Sequence, residues 1–527
     1  MTRYQHKTIK ISIKKCYKMN DDELMWWWTD DQKALFKEFD AFVEENREEA
    51  QIYAKKFELP LPLLDKLAAK GYFGAAIPKE YGGLGLGTTG CCIVSEQMSR
   101  LGYAGGIFVS SMIGGCRQLL KYGSEEQKQK WLPQIAEGKV KGAVCITEPY
   151  AGSDAANVQT TAVKDGNDWI LNGKKRFISG GDIAGRFFVY AKTSDTPEDR
   201  KNYSHLSAFL VERGTPGFSL ERVNQVIGLG MSSNVYLSFN DVRIPDENRV
   251  GALGKGWNIM MAGLNFERLI NNTAMLGNVQ DIIKLLFYYT RRRIQFNKTT
   301  SQIPRIQDLI AEILSMYRMG KVFNYNCAKQ LDDGIEPTVD VSIAKWIPAE
   351  FLRDLTSRAI QVMGGDGVMS YYPVGGMLMG SKINEIAAGS TETQKMIIYR
   401  FSSRKFNEPF RMRWIDEINS AVVSKKDSRF KGLEINEENV LKVIAHDYKV
   451  NPALYMTPDD VREDIGGNRT DLLNIFSKLE EQKLIAVHRD RKGKISLVKA
   501  SYEGLKKAFP DEYYRWFPSW TPDSVKF

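Results

Sequence analysis

The residue pattern of this chain changes twice, and those changes limit the folds that it can adopt. Over residues 30–142 apolar side chains recur at helical spacing, as Leu35 and Phe39 do. Residues 143–251 consist of short segments that are rich in β-branched and aromatic residues and are separated by turns. Helical spacing returns over residues 257–403. This order predicts an α+β protein with a helical domain, a small antiparallel β barrel or sandwich, and a helical bundle.

A fourth unit follows the bundle. Three helices are predicted there: one around Ile444, one that begins at Pro458 after a Thr457 cap, and one from Asn468. A hairpin then turns at Lys492 and the following glycine. Three helices and a two-stranded wing resemble a winged-helix domain.

Two functions fit such a domain equally well at this point. In a DNA-binding function, the third helix would enter the major groove and a basic wing would contact phosphates. The wing carries four cations, namely Arg489, Arg491, Lys492 and Lys494. The case for a phosphate-binding surface is weakened by three acidic residues on the third helix, namely Asp471, Glu480 and Glu481. The alternative is a module for protein contact or oligomer packing.

A chain of 527 residues is too long to fold around a single hydrophobic core, so its length and these patterns together predict several domains. We predict an N-terminal extension at 1–25, a helical domain at 26–142, a β domain at 143–254, a four-helix bundle at 255–406, a linker at 407–432, a winged-helix-like domain at 433–510 and a tail at 511–527.

Composition adds limits on location and ligands. The N-terminus is basic but lacks the apolar core of a signal peptide, and no apolar run is long enough to span a bilayer. A targeting arm is one interpretation; we favour a disordered extension or a translation start at Met19.

Six cysteines form no CxxC pair and there are only four histidines, so we expect reduced thiols, no metal and a cytoplasmic protein. The net charge of +9 suits an anionic ligand such as CoA or nucleic acid without choosing between them.

Six motifs carry the chemistry, and they occur in a fixed order. They are CITEPYAGSDAANVQTTA (145–162), WILNGKKRFIS (169–179), FERL (266–269), RRRIQFNK (291–298), QVMGGDGV (361–368) and AAGSTE (387–392). In this order and spacing they closely resemble the acyl-CoA dehydrogenase family over residues 30–405.

That resemblance implies an FAD-dependent dehydrogenation of an acyl-CoA thioester to a trans-2-enoyl-CoA. A base removes the α-proton while flavin N5 accepts the β-hydride, and the electrons pass to an electron-transferring flavoprotein. It also implies a homotetramer and a place in fatty acid or branched-chain amino acid breakdown. Two alternatives stay open: an enoyl-CoA reductase running the reverse reaction, and an acyl-CoA-sensing regulator that binds DNA through the winged helix.

The resemblance also implies a set of binding residues. FAD would lie at the seam between the β domain and the bundle. The flavin ring would be lined by Val144, Ile146 and Thr147 and covered by Phe177 and Ser179. The rest of the cofactor would contact Arg293, Phe296, Gln361, Gly365, Ser390 and Glu392, some of them across a subunit interface. Ser153 would contact the thioester substrate. Taken alone, Val144, Ile146 and Phe177 would be interpreted as plain β-domain core.

The position of the base is the unusual feature of the sequence. In many family members a glutamate directly precedes the Gly-Thr or Gly-Ser pair, but Ala388 stands there in this chain. In the isovaleryl-CoA and long-chain types the base lies on an earlier helix, at the position of Glu267. We therefore predict Glu267 as the base, although a surface carboxylate paired with Arg268 is the other interpretation. Arg268 is expected to position Glu267 or to shape the acyl pocket.

Ala387 and Ala388 leave room for a short, branched or wider acyl group, and a backbone N–H of this turn could donate to the thioester carbonyl.

Two departures from the family pattern concern packing. Met379 and Gly380 replace an Arg-Asp pair, and Pro304 replaces a glutamine.

Overall fold

The computed structural model describes residues 24–56, 58–102, 114–228, 233–405, 430–450, 454–490 and 492–513. The chain forms two compact units, Met1–Glu408 and Pro409–Phe527. The predicted extension at 1–25 (apart from its last two residues), most of the linker at 407–432 and the end of the tail lie outside the described residues, as does Arg491. Among the described residues, no helix is long and apolar enough to cross a membrane.

The first part of the larger unit is helical, as the apolar spacing predicts. Its helices are Asp30–Lys56 (α1), Leu61–Ala69 (α2), Gly87–Ser99 (α3), Cys116–Tyr122 (α4) and Glu125–Ala136 (α5). Leu35 and Phe39 of α1 are buried in one core with Leu64 and Leu67 of α2. That core also includes side chains from the sheet and from the bundle, so it joins the three parts of this unit.

An eight-stranded sheet follows. Its strands are Gly142–Cys145 (β1), Thr161–Asp165 (β2), Asp168–Ser179 (β3), Arg186–Lys192 (β4), Leu206–Glu212 (β5), Phe218–Gln225 (β6), Ser233–Pro245 (β7) and Arg249–Val250 (β8), with a short helix at Pro197–Asn202 (α6) between β4 and β5. The order is β6-β7-β3-β2-β4-β5-β8, with β1 beside β4.

The sheet differs from the predicted antiparallel barrel in two respects. Strand β1 runs parallel to β4, and β2 meets β4 through one parallel pair, because the chain crosses over between them. Strands β6 and β8 end the sheet, and no pairing between described residues joins them into a closed barrel. The alternation of buried and exposed residues is the same in parallel and antiparallel strands, so the sequence pattern did not separate the two.

A bulge in β3 matters for the site. The pairing of β3 with β7 shifts register between Lys175 and Ile178. The two residues inside the shift, Arg176 and Phe177, have no ladder partner on β7, and Phe177 adopts φ of +58°. A bulge of this kind frees a backbone N–H for another acceptor and redirects a side chain.

Five helices form the bundle in the described part of the larger unit. They are Gly256–Thr290 (α7), Pro304–Asp332 (α8), Thr338–Met363 (α9), Val374–Ile386 (α10) and Thr391–Lys405 (α11). Helix α7 is buried on most of its circumference, which fits a helix at the centre of a bundle. Pro304 is the first residue of α8, where its missing N–H costs nothing. Between α7 and α8 a hairpin pairs Ile294–Gln295 (β9) with Lys298–Thr299 (β10).

Gly228 is required by a close backbone contact. A Cβ atom on Gly228 would lie 2.3 Å from the amide nitrogen and 2.7 Å from the Cα of Gly380 in α10. Gly228 itself has φ of +76°. The loop before β7 therefore approaches α10 so closely that a side chain at position 228 does not fit.

The smaller unit has its own apolar core. Its elements are Glu437–Val450 (α12), Pro458–Ile465 (α13), Arg469–Glu481 (α14), Ile485–Arg489 (β11), Ile495–Ala500 (β12) and Tyr502–Ala508 (α15). Thr457 caps α13 by accepting a hydrogen bond from the N–H of Asp460, and Pro458 is the first residue of that helix, as predicted. Strands β11 and β12 pair antiparallel. Classification of this unit as a winged helix stays a prediction.

Candidate active site

The segment from Val144 to Thr147 leaves the sheet toward the helical side. Cys145 is fully buried in the sheet's own core, whereas Val144 and Ile146 are half-buried and pack against the core shared with the helices. Residues that alternate along a strand face opposite sides. Val144 and Ile146 thus lie at the seam between the sheet and the helices, and the interpretation as plain β-domain core does not hold for them.

Strand β3 holds this segment through two hydrogen bonds. Lys175 Nζ donates to the carbonyl oxygen of Ile146 over 3.1 Å, and the N–H of Arg176 donates to the carbonyl oxygen of Thr147 over 2.9 Å. The N–H groups of Ile146 and Thr147 donate to no other group of the described residues. The segment therefore presents two free backbone donors and the Thr147 hydroxyl.

An aromatic side chain stands beside these donors. Phe177 is 53% exposed, and the guanidinium of Arg176 lies 4.3 Å from its ring centroid. The ring of Tyr236 meets it edge-on at 5.7 Å. An exposed ring held on one side by a cation and a second ring offers its free face to a planar ligand. Ser179, two residues further along β3, is half-buried.

Glu267 lies near the start of the buried helix α7. Its side chain is half-buried, and within the described ranges its carboxylate makes neither a hydrogen bond nor an ion pair. Burial raises the pKa of Glu267, and the charge of Arg268 opposes that rise without cancelling it. Burial also raises the pKa of Tyr190 in β4, and the charge of Glu267 adds to this effect. Glu267 is thus a partly buried carboxylate without an ion pair among the described residues, which differs from the surface ion pair of the second interpretation.

Arg268 is tied to the turn that carries Ala388. It is 3% exposed, and its Nε donates to the carbonyl oxygen of Ala388 over 3.0 Å while Nη1 donates to Asn265 Oδ1 over 3.2 Å. Burial lowers the pKa of Arg268 to about 10, opposed by the charge of Glu267. Among described residues, its link to Glu267 is through charge alone.

The turn between α10 and α11 has an unusual backbone. Ala388 adopts φ of +55° and Gly389 φ of +93°. Gln394 Nε2 donates to the carbonyl oxygen of Gly389 over 3.0 Å. Ser390 caps α11, because its Oγ accepts a hydrogen bond from the N–H of Thr393 over 3.3 Å. A left-handed alanine is held here by side chains from two helices.

A buried lysine under the same turn was not found by sequence reasoning. Lys345 of α9 is 2% exposed, and its Nζ has no hydrogen-bond partner in the part of the chain that the structure describes. Burial and the charge of Arg268 lower the pKa of Lys345 to about 8, while Glu385 and Glu392 oppose the shift. In the sequence, the only sign of Lys345 is that a lysine occupies a position that faces the core of the helical bundle.

The remaining predicted cofactor residues fall into two groups. Arg293, Gln361 and Gly365 line one open recess of about 470 Å³, together with Tyr289 and Asp366. Phe296 is at the tip of the β9–β10 hairpin and is 87% exposed. Glu392 is exposed in the first turn of α11, next to the cap at Ser390, and Ser153 is exposed in the loop after β1. The structure thus brings Arg293, Gln361 and Gly365 together, and Ser390 and Glu392 together.

The described residues fit a flavin dinucleotide on these observations. Free backbone donors and a hydroxyl at Ile146 and Thr147 suit the polar edge of the ring, and Phe177 suits its face. Arg293 in an open recess suits a phosphate. Among described residues, no group of three or more His, Cys, Asp or Glu side chains is placed to hold a metal ion.

Family models match the larger unit in the same order as its three parts. The acyl-CoA dehydrogenase N-terminal domain matches residues 29–139, the middle domain residues 143–242 and the C-terminal domain residues 254–402. Fold and site together define an FAD-dependent oxidoreductase. The acryloyl-CoA reductase (NADH) of Anaerotignum propionicum is 36% identical over 344 residues, which are 65% of this chain and 86% of the relative. The chain belongs to the acyl-CoA dehydrogenase family.

Other relatives carry different names. The mitochondrial isovaleryl-CoA dehydrogenase of Solanum tuberosum is 33% identical over 328 residues, covering 62% of this chain and 79% of the relative. The caffeyl-CoA reductase-Etf complex subunit CarC of Acetobacterium woodii is 33% identical over 344 residues, covering 65% of this chain and 89% of the relative.

Solved structures agree on the fold and the cofactor. The butyryl-CoA dehydrogenase of Megasphaera elsdenii has a TM-score of 0.67 at 30% identity, covering 70% of this chain and 97% of that one. An FAD complex of PigA has a TM-score of 0.67 at 27% identity, covering 71% and 98%. FAD is the cofactor of this protein, as the motifs predict.

Proposed function

We propose that this protein dehydrogenates an acyl-CoA thioester between its α- and β-carbons to a trans-2-enoyl-CoA, with Glu267 as the base. One observation carries the proposal: a desolvated, unpaired carboxylate lies on α7 at the seam, while position 388 holds a methyl group that cannot accept a proton.

The chemistry assigned to Glu267 follows from its surroundings. Desolvation makes the carboxylate a stronger base, because it disfavours the charged form relative to water. The charge of Arg268 opposes that effect and favours the ionised carboxylate, the form that takes up the α-proton of the substrate. FAD, when bound, would supply the acceptor for the hydride equivalent that leaves the β-carbon.

The turn at Ala388 and Gly389 is assigned to the thioester carbonyl. Negative charge develops on that oxygen as the α-proton leaves, and backbone N–H donors that are already oriented stabilise it. Arg268 and Gln394 hold the carbonyl groups of Ala388 and Gly389, and this fixes the orientation of the N–H groups in the same turn. Ser153 is assigned to the CoA side of the substrate.

The same turn is assigned to determine how wide an acyl group can bind. Ala388 carries only a methyl group where a base would otherwise project, so the α- and β-carbons have lateral room. We assign a short acyl group with a branch to this space. Relatives named isovaleryl-CoA dehydrogenase support that choice.

The cofactor contacts follow the motif positions. Val144, Ile146, Thr147, Phe177 and Ser179 are assigned to the flavin ring. The recess lined by Arg293, Gln361 and Gly365 is assigned to the distal half of a dinucleotide held by a neighbouring subunit, with Phe296, Ser390 and Glu392 at its borders. Arg293 and Phe296 project outward on an exposed hairpin, which suits a contact across an interface.

A homotetramer is part of the proposal. Large apolar side chains are exposed on four helices of the bundle, α8 to α11: Met319, Phe323, Ile347, Met379, Ile386, Met396 and Tyr399. Exposed apolar groups on this scale are typical of an association surface. Electron transfer to an electron-transferring flavoprotein is proposed on the family resemblance and on a relative whose name includes an Etf complex.

The reverse reaction is the second candidate. Two relatives are named as CoA-ester reductases, an acryloyl-CoA reductase and a subunit of a caffeyl-CoA reductase. The same base serves both directions, since Glu267 would return the proton to the α-carbon. The direction is set by the partner that supplies or removes electrons.

The smaller unit is proposed as a winged-helix-like module for protein contact. Residues 433–510 contain thirteen Lys and Arg and thirteen Asp and Glu, so their net charge is zero. Three cations of the predicted DNA-reading elements are paired internally: Arg469 with Asp459, Lys478 with Glu437, and Arg489 with Glu480. A phosphate-binding surface needs an excess of free cations. Salt-dependent binding of the full chain to duplex DNA would contradict this assignment.

Anaerobic reduction of the bound flavin by a panel of straight and branched acyl-CoAs tests the main proposal. We expect bleaching in the wild type with a branched short-chain substrate and bleaching slowed by about 10³-fold in Glu267→Gln, with acyl-CoA binding kept. A wild type that binds acyl-CoAs and is never reduced by them would contradict dehydrogenation. Oxidation of the reduced protein by enoyl-CoAs tests the reductase alternative.

A further inference from the structure

A buried ion pair lies directly behind the segment assigned to the flavin edge. Lys175 Nζ and Glu148 Oε1 are 2.8 Å apart, and the side chains are 0% and 3% exposed. Glu148 also accepts the N–H groups of Gln159 and Thr160. Burial would raise the pKa of Glu148, but the charge and hydrogen bonds around it lower that pKa; burial lowers the pKa of Lys175. The 2.8 Å contact and the two backbone N–H donors hold the pair in place.

The lysine has a second contact that the ion pair does not require. Its Nζ also donates to the carbonyl oxygen of Ile146 over 3.1 Å. In a trans peptide the C=O of one residue and the N–H of the next point in opposite directions. A cation on the Ile146 oxygen thus directs the Thr147 N–H away from Lys175, and it polarises that amide so that the N–H donates more strongly.

The neighbouring residue fixes the next peptide. Arg176 N–H donates to the Thr147 carbonyl oxygen, and it is free to do so because the β3 bulge removes it from the ladder with β7. Both peptides that flank Thr147 are thus held by consecutive residues of β3. Of the two free backbone donors on this segment, the Thr147 N–H is the one whose peptide carries the Lys175 contact.

We infer that Lys175 is a positioning residue that sets the strength and direction of the Thr147 N–H and thereby the reduction potential of the bound flavin. A donor aimed at the polar edge of the ring stabilises the electron-rich reduced form more than the oxidised form. Removal of the cation should then weaken binding of reduced FAD more than binding of oxidised FAD. This inference rests on the proposed assignment of Thr147 to the flavin edge.

The experiment compares three variants of the full chain. Lys175→Met removes the cation, and Lys175→Met/Glu148→Gln removes it without leaving a buried unpaired carboxylate. Lys174→Met is the matched control, because Lys174 is the adjacent residue and forms an exposed pair with Glu221 over 2.8 Å. FAD affinity is measured by titration of the apoprotein, and the midpoint potential by reduction against a reference dye. No acyl-CoA is used, so these results are independent of whether the dehydrogenation proposal holds.

We expect the double variant to fold and to bind reduced FAD about tenfold more weakly relative to oxidised FAD, which is a potential lower by about 30 mV. Its visible spectrum should shift, and Lys174→Met should match the wild type. If the double variant folds with the wild-type potential and spectrum, Lys175 serves only to neutralise Glu148 and the inference is wrong. If Lys175→Met alone fails to fold, the double variant decides the outcome.

Discussion

Arg268 Nε donates a hydrogen bond to the carbonyl oxygen of Ala388, 3.0 Å away and 120 residues further along the chain. This contact joins the helix that carries the proposed base to the turn from which a base is missing. Both partners belong to the proposed acyl site, so the contact ties the position of the thioester to the position of Glu267.

Replacement of Arg268 by methionine should loosen the turn. The carbonyl oxygen of Ala388 and Oδ1 of Asn265 lose their donor, and an unmet buried polar group costs about 1–3 kcal/mol of unfolding free energy. We expect a higher KM for the acyl-CoA with unchanged FAD affinity. Arg292→Met, on the exposed hairpin side of α7, is the control and should leave both quantities unchanged. Equal KM values in the two variants would contradict the proposed role of the turn.

Glu267→Gln should slow flavin reduction by acyl-CoA by about 10³-fold, in the range typical of a lost general base. The amide keeps the size of the side chain but accepts no proton at neutral pH. Stopped-flow bleaching of the flavin measures the rate. The spectral change on acyl-CoA binding shows whether the site is intact. Reduction at the wild-type rate would mean that the base lies elsewhere.

The pH dependence of reduction should report the buried carboxylate. Since burial raises the pKa of Glu267, kcat/KM should increase with pH through an apparent pKa above 4.5. Arg268→Met should move that pKa further up, because the opposing cation is gone. An apparent pKa that stays the same in Arg268→Met would indicate a different titrating group.

The same shift has a consequence for stability. A carboxyl group whose folded-state pKa is raised binds its proton more tightly when folded, so its contribution to stability falls as pH rises from the unfolded pKa through the folded one. The Glu267→Gln variant has no carboxyl group at this position, so it does not lose stability in this way as the pH rises. The melting temperature of the variant relative to the wild type should therefore increase as the pH rises above 4.5, the ordinary pKa of a glutamate. A constant difference across that range would show that Glu267 is not desolvated.

Returning a carboxylate to the turn should restore part of the activity. Ala388 already adopts φ of +55°, so Ala388→Glu adds no new backbone conformation. We expect Glu267→Gln/Ala388→Glu to recover roughly tenfold of the lost rate, and to favour straight over branched acyl groups, because the new side chain fills the lateral space. Glu267→Gln/Ala387→Glu is the control, since Ala387 is exposed. Recovery in the control alone would place the substrate on the other side of the turn.

The contact between Gly228 and Gly380 gives a stability test. Gly228→Ala would place a Cβ 2.3 Å from the backbone of α10 at φ of +76°, and we expect a loss of about 2 kcal/mol or more. Gly376 lies one turn earlier in α10, and an added Cβ there meets nothing within 4 Å. Gly376→Ala should therefore stabilise the protein by up to about 1 kcal/mol. Thermal unfolding of the two variants checks the sign of each change.

The family and the cofactor followed from six motifs, because those stretches have fixed order and spacing. The order of helical domain, sheet and bundle followed from the change in apolar spacing along the chain. The parallel pairing of β1 with β4 was missed, since alternation carries no direction. The bond from Arg268 to Ala388 has no local signal, because it depends on how α7 packs against a turn 120 residues away. Lys175 stands between two other cations, Lys174 and Arg176, so the sequence does not single it out, and its pairing with Glu148 required the structure.

The placement of Glu267 within a 35-residue helix has a practical result for redesign. A base mounted on a turn moves whenever that turn is rebuilt, whereas a base on a long buried helix stays in place. On the proposed arrangement, residues 387–390 can be lengthened or exchanged to admit wider acyl groups while the proton acceptor keeps its coordinates. Substrate range and proton transfer then become two separately adjustable parts of one enzyme.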